Sequence, residues 1–241
     1  MIVKNEFKLA LQAVKIASKY ILQKFKQKNF ITTEKSPDDY VTEVDLKAQK
    51  IIKEVLSAKS NYPIIGEENL FSHYGQDIVW VIDPLDGTVN FINNIPIFAC
   101  AVSLINLKDF TAYVGVINLP FYKLTYSAYY QGGAFLNDKK LLISHNHQVN
   151  IAVVRNRKGT KLAAAELKNI THFRNFGSAS YELTMLAEQK INLYYDDATA
   201  VWDFAAGKAI IEELGIKMTV EPYNSQDLIL SKYKVKAKLN S

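Results

Sequence analysis

The chain has almost no cysteine: Cys100 is the only one among its 241 residues. No disulfide can form within the chain, so the fold depends on its apolar core, which a chain of this length can make large. Cys100 lies in the apolar run 98–104, where a thiol is usually an inert core residue. No histidine and asparagine arrangement is evident around it that would favour a thiol nucleophile. These features predict a reduced, cytoplasmic protein.

Long apolar runs are also missing. No stretch approaches the roughly 20 apolar residues that cross a bilayer. Lys4, Glu6 and Lys8 place charges where a secretory leader would be apolar. We expect a soluble protein without membrane contact.

No strong excess of charge is present either: 29 basic residues face 24 acidic ones, a net charge of +5. This modest excess could favour an anionic substrate. Lysines alternate with apolar residues over 231–239, at Lys232, Lys234, Lys236 and Lys238. A lysine face at period two is typical of an exposed edge strand. Nucleic-acid binding is disfavoured, since such a surface usually brings arginines and a wider basic face.

Apolar residues recur at helical spacing in two N-terminal segments. Residues 4–28 present one apolar face of a long amphipathic helix. A second helix is predicted from Thr42 to about Lys59, with Asp45 in its first turn, where a carboxylate suits the helix dipole. The polar segment Thr32–Asp39 between the two helices predicts a mobile loop.

Strands dominate the middle of the chain, and strands and helices alternate after residue 150. Short buried strands at 63–66 and 78–82 precede an antiparallel meander over 100–129. The later elements are predicted as strands at Ile151–Val154 and Ile191–Tyr195, helices at Leu162–Lys168, Ser178–Glu188 and Val201–Leu214, and two terminal strands. The pattern predicts an α/β (α+β) fold. Residues 1–145 would form an N-terminal lobe with an antiparallel sheet, and residues 146–241 a C-terminal α/β lobe of the same compact unit.

Three acidic clusters fall at the end of a predicted strand or the start of a helix, where side chains can converge on a cleft. The clusters are Gly66-Glu67-Glu68, Asp83-Pro84-Leu85-Asp86-Gly87-Thr88 and Trp202-Asp203. Converging carboxylates repel each other and lose hydration unless cations neutralise them. Oxygen ligands without cysteine or an obvious histidine point to Mg²⁺ or Mn²⁺ and away from Zn²⁺.

The residues after Asp86 predict an anion site. Gly87 lets the backbone turn sharply, and if Thr88 begins a short helix, the amides of both residues point at one spot. Such a helix start binds phosphate oxygens. Carboxylates for a metal beside an anion site predict a phosphoryl-transfer centre.

Each piece also has an ordinary structural interpretation. Glu67-Glu68 alone would be solvated surface, and Asp45 alone a helix-start charge. The Asp-Gly-Thr run alone is a turn signal, and Trp202-Asp203 alone is a helix cap beside a core aromatic residue. Because all four occur in one chain, in order, the combination favours function.

The same motifs resemble those of the inositol monophosphatase family, which comprises magnesium-dependent, lithium-sensitive sugar phosphatases. The matching segments are 41–45, 65–68, 80–91, 177–179 and 202–207. The run from Asp83 to Thr88 is the most specific of them. The resemblance implies a layered αβαβα sandwich, a small phosphate monoester as the substrate, and a homodimer.

The resemblance also implies a ligand set for two to three Mg²⁺ ions, with Mn²⁺ as an alternative. Glu67, Asp83 and the Leu85 carbonyl would hold the first ion. Asp83, Asp86 and Asp203 would hold the second, and Glu67 would help with a third, weaker ion.

Catalytic and substrate residues follow in the same way. Asp45 and Thr88 would orient and deprotonate the attacking water, with Glu67 assisting, and Lys35 would move with metal occupancy. Substrate contacts are implied for Asp86, Gly87, Thr88, Gly177, Ser178, Ala179 and Asp196. Asp196 stands where the family commonly has the longer Glu, and Val89 stands where it commonly has Thr or Ser.

Inositol monophosphate is the substrate that the resemblance favours. Fructose 1,6-bisphosphate, 3′-phosphoadenosine 5′-phosphate and histidinol phosphate remain as alternatives from the same superfamily. A regulatory, RNA-associated binding protein is the alternative from another class, although such a protein would not need the intact catalytic set.

Overall fold

The fold is that of a computed structural model, which describes residues 2–37, 39–68, 70, 71, 75–143, 149–155, 167, 169–224, 228 and 231–239. The helices are α1 Ile2–Gln27, α2 Glu43–Ser57, α3 Thr88–Ile92, α4 Ala179–Ala187 and α5 Val201–Glu212. The strands are β1 Thr32–Ser36, β2 Asp39–Thr42, β3 Ile64–Gly66, β4 Leu70–Phe71, β5 Ile78–Asp86, β6 Ala99–Asn106, β7 Ala112–Leu119, β8 Leu124–Tyr129, β9 Gly133–Leu136, β10 Lys139–Lys140, β11 Ile151–Arg155, β12 His172–Arg174, β13 Leu193–Thr199, β14 Met218–Pro222 and β15 Tyr233–Lys238.

Two large sheets organise these elements. The first has eight strands in the order β10-β9-β8-β7-β6-β5-β3-β4, and only β3 and β5 pair in parallel. The predicted meander is confirmed as β6, β7 and β8. The second has five strands in the order β12-β11-β13-β15-β14, with β11 parallel to both of its neighbours.

Strand β5 shows how the layers stack. Its residues Trp80 and Ile82 pack in one apolar cluster with α1 and α2. Val79 and Val81, on the opposite face, pack in a second cluster with α4, α5 and the five-stranded sheet. A strand covered on both faces has an unbroken apolar sequence, as β5 does from Ile78 to Ile82.

The described layers are therefore helix, sheet, helix, sheet, and the predicted α/β class is confirmed. A fifth layer would need the helix predicted at Leu162–Lys168, which lies outside the described residues apart from residue 167. The predicted lobe boundary near residue 145 also lies outside them. Among the described helices, none is both long and apolar enough to cross a membrane.

Two sequence predictions are wrong at the level of single elements. Thr32–Asp39 is not a loop, because β1 and β2 pair as an antiparallel hairpin. All of β1 is exposed, so it lacks the apolar alternation that identifies a half-buried strand. Lysine-rich β15 is a strand with a buried face, but it lies between β13 and β14 and not at an edge. Its lysine Lys234 pairs with Glu221 on β14.

Helix α5 lies very close to the eight-stranded sheet at Gly115. A Cβ atom at this position would lie 2.4 Å from the Ala206 carbonyl oxygen and 2.6 Å from the Ala209 Cβ. Real Cβ contacts are longer, so only glycine permits this approach. The approach sets the height of α5 above the sheet, and Asp203 sits in the first turn of that helix.

We expect Gly115→Ala to destabilise the protein by about 1–3 kcal/mol, the usual cost of overpacking a core. Urea unfolding followed by circular dichroism measures the change. Gly75→Ala is the control, because its Cβ would meet nothing within 4 Å and only its positive φ of 75° opposes the substitution. An unfolding midpoint for Gly115→Ala equal to that of the wild type would contradict the close-packing argument.

Candidate active site

A cleft of about 660 Å³ lies where β3 and β5 of the large sheet end, beside the starts of α3 and α5. It is lined by nine of the residues singled out in the sequence, namely Lys35, Glu67, Asp83, Leu85, Asp86, Gly87, Thr88, Gly177 and Asp203. The three acidic clusters therefore converge as expected. Four predicted residues are not part of this lining: Asp45, Ser178, Ala179 and Asp196.

The parallel pairing of β3 and β5 explains why two of the clusters meet. The carboxyl ends of parallel neighbours lie at one edge of a sheet, so Glu67, just after β3, comes beside the end of β5. The Glu67 amide donates to the Ile82 carbonyl at 3.2 Å and fixes this approach. The register of β5 against β6 shifts between Asp83 and Asp86, an irregularity that can re-aim side chains.

Gly87 is the N-cap of helix α3, which begins at Thr88, and it has a φ of 92°. Only glycine adopts this conformation easily, and a Cβ there would lie 2.9 Å from the Ile97 carbonyl oxygen. No side chain caps this helix start among the described residues. The start of α3 therefore has no side-chain cap, and Gly87 and Thr88 line the cleft.

Asp86 is held by the start of α4. Its Oδ1 accepts a hydrogen bond from the Ala179 amide at 3.2 Å, and its Oδ2 accepts one from the Ser180 amide at 2.5 Å. Ser178 is the N-cap of the same helix and accepts from the Tyr181 amide. Ser178 and Ala179 are buried, so of the predicted turn only Gly177 reaches the cleft.

Asp203 is positioned by its own helix start. Its Oδ2 accepts hydrogen bonds from the Ala200 amide and the Thr199 hydroxyl, both at 2.9 Å. A carboxylate in the first turn of a helix is also favoured by the helix dipole. The N-cap of α5 is Ala200, so Trp202-Asp203 is not the cap itself, although the Asp203 side chain bonds the N-cap amide and lines the cleft.

The carboxylates repel one another. Burial and then the neighbouring Glu67 and Asp86 raise the pKa of Asp83 well above its ordinary value. Burial and then Asp203 raise the pKa values of Glu67 and Asp86. The buried Asp83 Oδ1 makes no hydrogen bond within the described structure. The negative charge of these carboxylates is therefore not fully neutralised within the cleft.

These acidic side chains lie in one cleft but do not surround a single point. Within the described ranges, no three acidic, histidine or cysteine side chains stand close enough together to hold an ion as they are. The donor set nonetheless suits a hard divalent cation, because it consists of carboxylate oxygens and the Leu85 carbonyl. Such a cation would give the unpartnered oxygen of Asp83 a partner, and it would offset the repulsion that raises the pKa values of these acids.

Asp45 and Thr88 lie in contact, as the sequence predicted. The Thr88 hydroxyl is 3.1 Å from Asp45 Oδ1 and 2.9 Å from the Leu85 carbonyl oxygen. Asp45 Oδ2 accepts from the Thr42 amide at 2.8 Å, which closes the capping box of α2. Burial, against the hydrogen bonds from Thr42, raises the pKa of Asp45 to about 6. Asp45 lies behind Thr88 and connects to the cleft through it.

Lys35 reaches the acidic cluster from strand β1. Its Nζ lies 3.0 Å from Glu68 Oε1, 3.5 Å from Asp39 Oδ1 and 3.9 Å from Glu67 Oε1. The Glu68 amide also donates a hydrogen bond to Gln49 Oε1, at 3.1 Å. The lysine is thus a counter-ion of the cluster in this structure.

Asp196 is not brought to the cleft. Its side chain is fully buried, and its Oδ1 accepts from the Ala198 amide at 3.0 Å. The cleft at this corner is lined instead by Arg155 and Lys232. No sequence signal identified Arg155, because a single arginine at the end of an apolar strand has no motif around it.

The layered α/β fold and the acidic cluster beside an uncapped helix start define a phosphatase. The chain belongs to the inositol monophosphatase family, whose family model matches residues 3–239. The family assignment made from the motifs is confirmed.

The sequence aligns with several named proteins over most of its length. It is 34% identical to the inositol-1-monophosphatase of Rhizobium meliloti, over 85% of this chain and 81% of the relative. It is 32% identical to the Nus factor SuhB of Pasteurella multocida, over 86% and 82%. A relative from Aquifex aeolicus, named fructose-1,6-bisphosphatase/inositol-1-monophosphatase, is also 32% identical, over 81% and 78%.

Solved structures show the same fold. The extragenic suppressor protein suhB of Bartonella henselae superposes with a TM-score of 0.80 at 27% identity, covering 96% of this chain and 93% of that one. An inositol monophosphatase/NADP phosphatase solved with Mg²⁺ and phosphate superposes with a TM-score of 0.81, covering 99% and 92%, at 18% identity. The second likeness concerns the fold alone.

We expect Asp83→Asn to stabilise the protein when divalent cations are removed with EDTA. The native pKa of Asp83 lies well above 3.8, so the native state holds a proton that the unfolded state has lost. Ionising this group therefore costs stability, and the cost grows as the pH rises through the native pKa. The gain should be largest at the high-pH end of this range, because the Asp83 carboxylate of the wild type is ionised there at a cost.

Thermal melting in EDTA from pH 5 to pH 8 measures this effect. The variant should lose less stability than the wild type as the pH rises. The exposed Asp138→Asn should follow the wild type. A variant less stable than the wild type at pH 8 would show that the Asp83 carboxylate is not an unpaired charge.

Proposed function

We propose that this chain hydrolyses a small phosphate monoester, most directly an inositol monophosphate, with Mg²⁺ as its cofactor. The observation that carries the proposal is the convergence of Glu67, Asp83, Asp86 and Asp203 on one cleft beside the start of α3. Their raised pKa values and the unpartnered Asp83 oxygen indicate a place for positive charge. The Mg²⁺ in a structural neighbour supports the choice of ion.

The family pattern assigns the ligands. Glu67, Asp83 and the Leu85 carbonyl would hold one Mg²⁺, and Asp83, Asp86 and Asp203 a second. Glu67 would contribute to a third, and Mn²⁺ suits the same oxygen donors. Bound Mg²⁺ supplies a more acidic water, neutralised phosphate charge and a stabilised leaving oxygen.

The chain's own residues would prepare the water. The Thr88 hydroxyl can accept a proton from a water in the cleft while it passes its own proton to Asp45 Oδ1, 3.1 Å away. With a pKa of about 6, Asp45 is mostly ionised at neutral pH and can accept that proton. Glu67, half-buried at the cleft, would help orient the water.

The phosphate would lie at the start of α3. Amides of Gly87 and Thr88 suit phosphate oxygens, because a helix start combines free N–H groups with a favourable dipole. No covalent intermediate is needed, since positioning and charge stabilisation account for the chemistry.

Recognition of the organic part would fall to the corner formed by Gly177, Arg155 and Lys232. Ser178 and Ala179 would contribute by shaping the turn, because both side chains are buried. Contact between Asp196 and sugar hydroxyls stays a prediction that would require the side chain to leave its buried position. Val89 is 51% exposed near the cleft and offers no hydroxyl.

We expect Asp86→Asn to lower turnover at least about 100-fold while the protein remains folded, because groups that stabilise a transition state act on this scale. Phosphate release at saturating Mg²⁺ measures turnover, and circular dichroism checks the fold. Exposed Asp77→Asn is the matched control. Near wild-type turnover in Asp86→Asn would overturn the ligand assignment.

The substrate is tested with a panel of monoesters, with and without Mg²⁺. Inositol 1-phosphate should give the highest kcat/KM, and activity should vanish in EDTA. Fructose 1,6-bisphosphate is a second candidate, because the Aquifex aeolicus relative carries both names. 3′-Phosphoadenosine 5′-phosphate and histidinol phosphate complete the panel. Turnover that persists in EDTA would contradict the proposed cofactor.

A second candidate function is RNA-associated regulation, which several relatives named Nus factor SuhB favour. Filter retention of single-stranded RNA at low and moderate salt tests it. Tight binding that falls steeply with salt would support this role beside catalysis. We expect no such retention, because the net charge of +5 is modest.

We also propose that the chain forms a homodimer, as the family resemblance implies, in the cytoplasm. Phe121 and Tyr122 at the turn between β7 and β8 are 45% and 41% exposed, and aromatic residues are enriched in interfaces. Light scattering should give twice the chain mass of 27.3 kDa. A mass equal to that of one chain would refute the dimer.

A further inference from the structure

Arg155 is a cation set into the wall of the acidic cleft. It ends β11, lines the cleft beside Asp86, and its side chain is only 8% exposed. No motif of the sequence includes it. A buried guanidinium beside carboxylates that would bind metal cations competes with those cations, because the guanidinium and the cations interact with the same carboxylate oxygens.

Two buried acids pair with this guanidinium. Arg155 Nη2 lies 2.8 Å from Glu182 Oε2, and Nη1 lies 3.8 Å from Asp196 Oδ2. Glu182 and Asp196 are both fully buried. Glu182 Oε1 also accepts from the Phe176 amide at 2.7 Å, which anchors the carboxylate on the first turn of α4.

Asp86 remains outside this ion pair. Its two oxygens accept from the Ala179 and Ser180 amides. Among the described residues, no ion pair within 4.0 Å joins Arg155 to Asp86. The charges still act on each other, since Arg155 opposes the rise in the pKa of Asp86 that burial and Asp203 cause.

The pair with Glu182 depends on charge more than on direction. Arg155 Nε and Nη2 complete no hydrogen bond within the described structure, although Nη2 lies close to Glu182. An ion pair of this kind sets the position of the guanidinium through attraction. Loss of the Glu182 charge would leave Asp196, 3.8 Å away, as the remaining acid of this pair, so the attraction of Asp86 for the guanidinium would weigh more.

We infer that Glu182 is a positioning residue, which holds the Arg155 guanidinium away from Asp86 and leaves that carboxylate available to a divalent cation. Asp196 assists from the other side of the guanidinium. The inference rests on the proposed function, since it assumes that Asp86 binds Mg²⁺.

The test is Mg²⁺ binding without substrate, followed by isothermal titration calorimetry and by the rise in melting temperature with Mg²⁺. Glu182→Gln keeps the shape of the side chain and can keep the hydrogen bond from the Phe176 amide. It should raise the half-saturating Mg²⁺ concentration about tenfold, the scale of one unit charge in partly buried surroundings. Melting in EDTA confirms that the variant is folded.

The double variant Glu182→Gln/Arg155→Met separates positioning from general structural support. It removes the released cation together with its tether, so Mg²⁺ affinity should return to within about threefold of the wild type. If Glu182 acted only by supporting the fold, the double variant would bind Mg²⁺ more weakly than the single one. That order, or an unchanged affinity in Glu182→Gln, would overturn the inference.

Glu212→Gln is the matched control, because Glu212 pairs with the buried Lys208 near the other end of α5. Its Mg²⁺ affinity should equal that of the wild type. Should Glu182→Gln fail to fold, Asp196→Asn should weaken binding in the same direction, and an unchanged affinity there would also overturn the inference. A wild type that binds no Mg²⁺ would overturn the proposed function as well, whereas Mg²⁺ binding unaffected by Glu182→Gln would overturn only this inference.

Discussion

The hydrogen bonds from the start of α4 to Asp86 join the eight-stranded sheet to the inner helix layer at the cleft. Asp86 ends β5 of the eight-stranded sheet, while Ala179 and Ser180 open a helix that packs against the five-stranded sheet. These two hydrogen bonds are favourable because the carboxylate pairs with amides that a helix start leaves without partners. Through it, the position of one candidate ligand depends on the packing of both sheets, and the close approach of α5 at Gly115 places Asp203 in the same way.

This arrangement costs stability where it prepares chemistry. The Asp83, Asp86 and Glu67 carboxylates are brought together with raised pKa values, which means that their charged forms are disfavoured in the absence of cations. The surrounding core, buried on both faces of β5, offsets this cost. A site that is electrostatically unsatisfied alone gains the most from a bound cation, because ligand binding to the native state adds directly to its stability.

Much of this could be predicted from the sequence, because local patterns determine it. Short apolar runs predicted the central strands, and the run from Asp83 to Thr88 predicted the end of β5, the start of α3 and most of the cleft. The exposed hairpin β1–β2 escaped prediction because neither of its faces is apolar enough to alternate. The interior place of β15 escaped because alternation identifies a half-buried strand and says nothing about its neighbours.

The interactions that sequence reasoning missed all depend on long-range packing. Arg155 and Glu182 meet only because the fold brings the end of β11 to the first turn of α4, and no motif near either residue predicts the pair. The same packing buries Asp196, which a match by position alone would place in the cleft. A motif therefore locates the groups that carry out chemistry, whereas the charges that keep those groups available have to be found in the fold. In this chain, the charges of Arg155 and Glu182 act on Asp86, although neither residue belongs to the motif that contains Asp86.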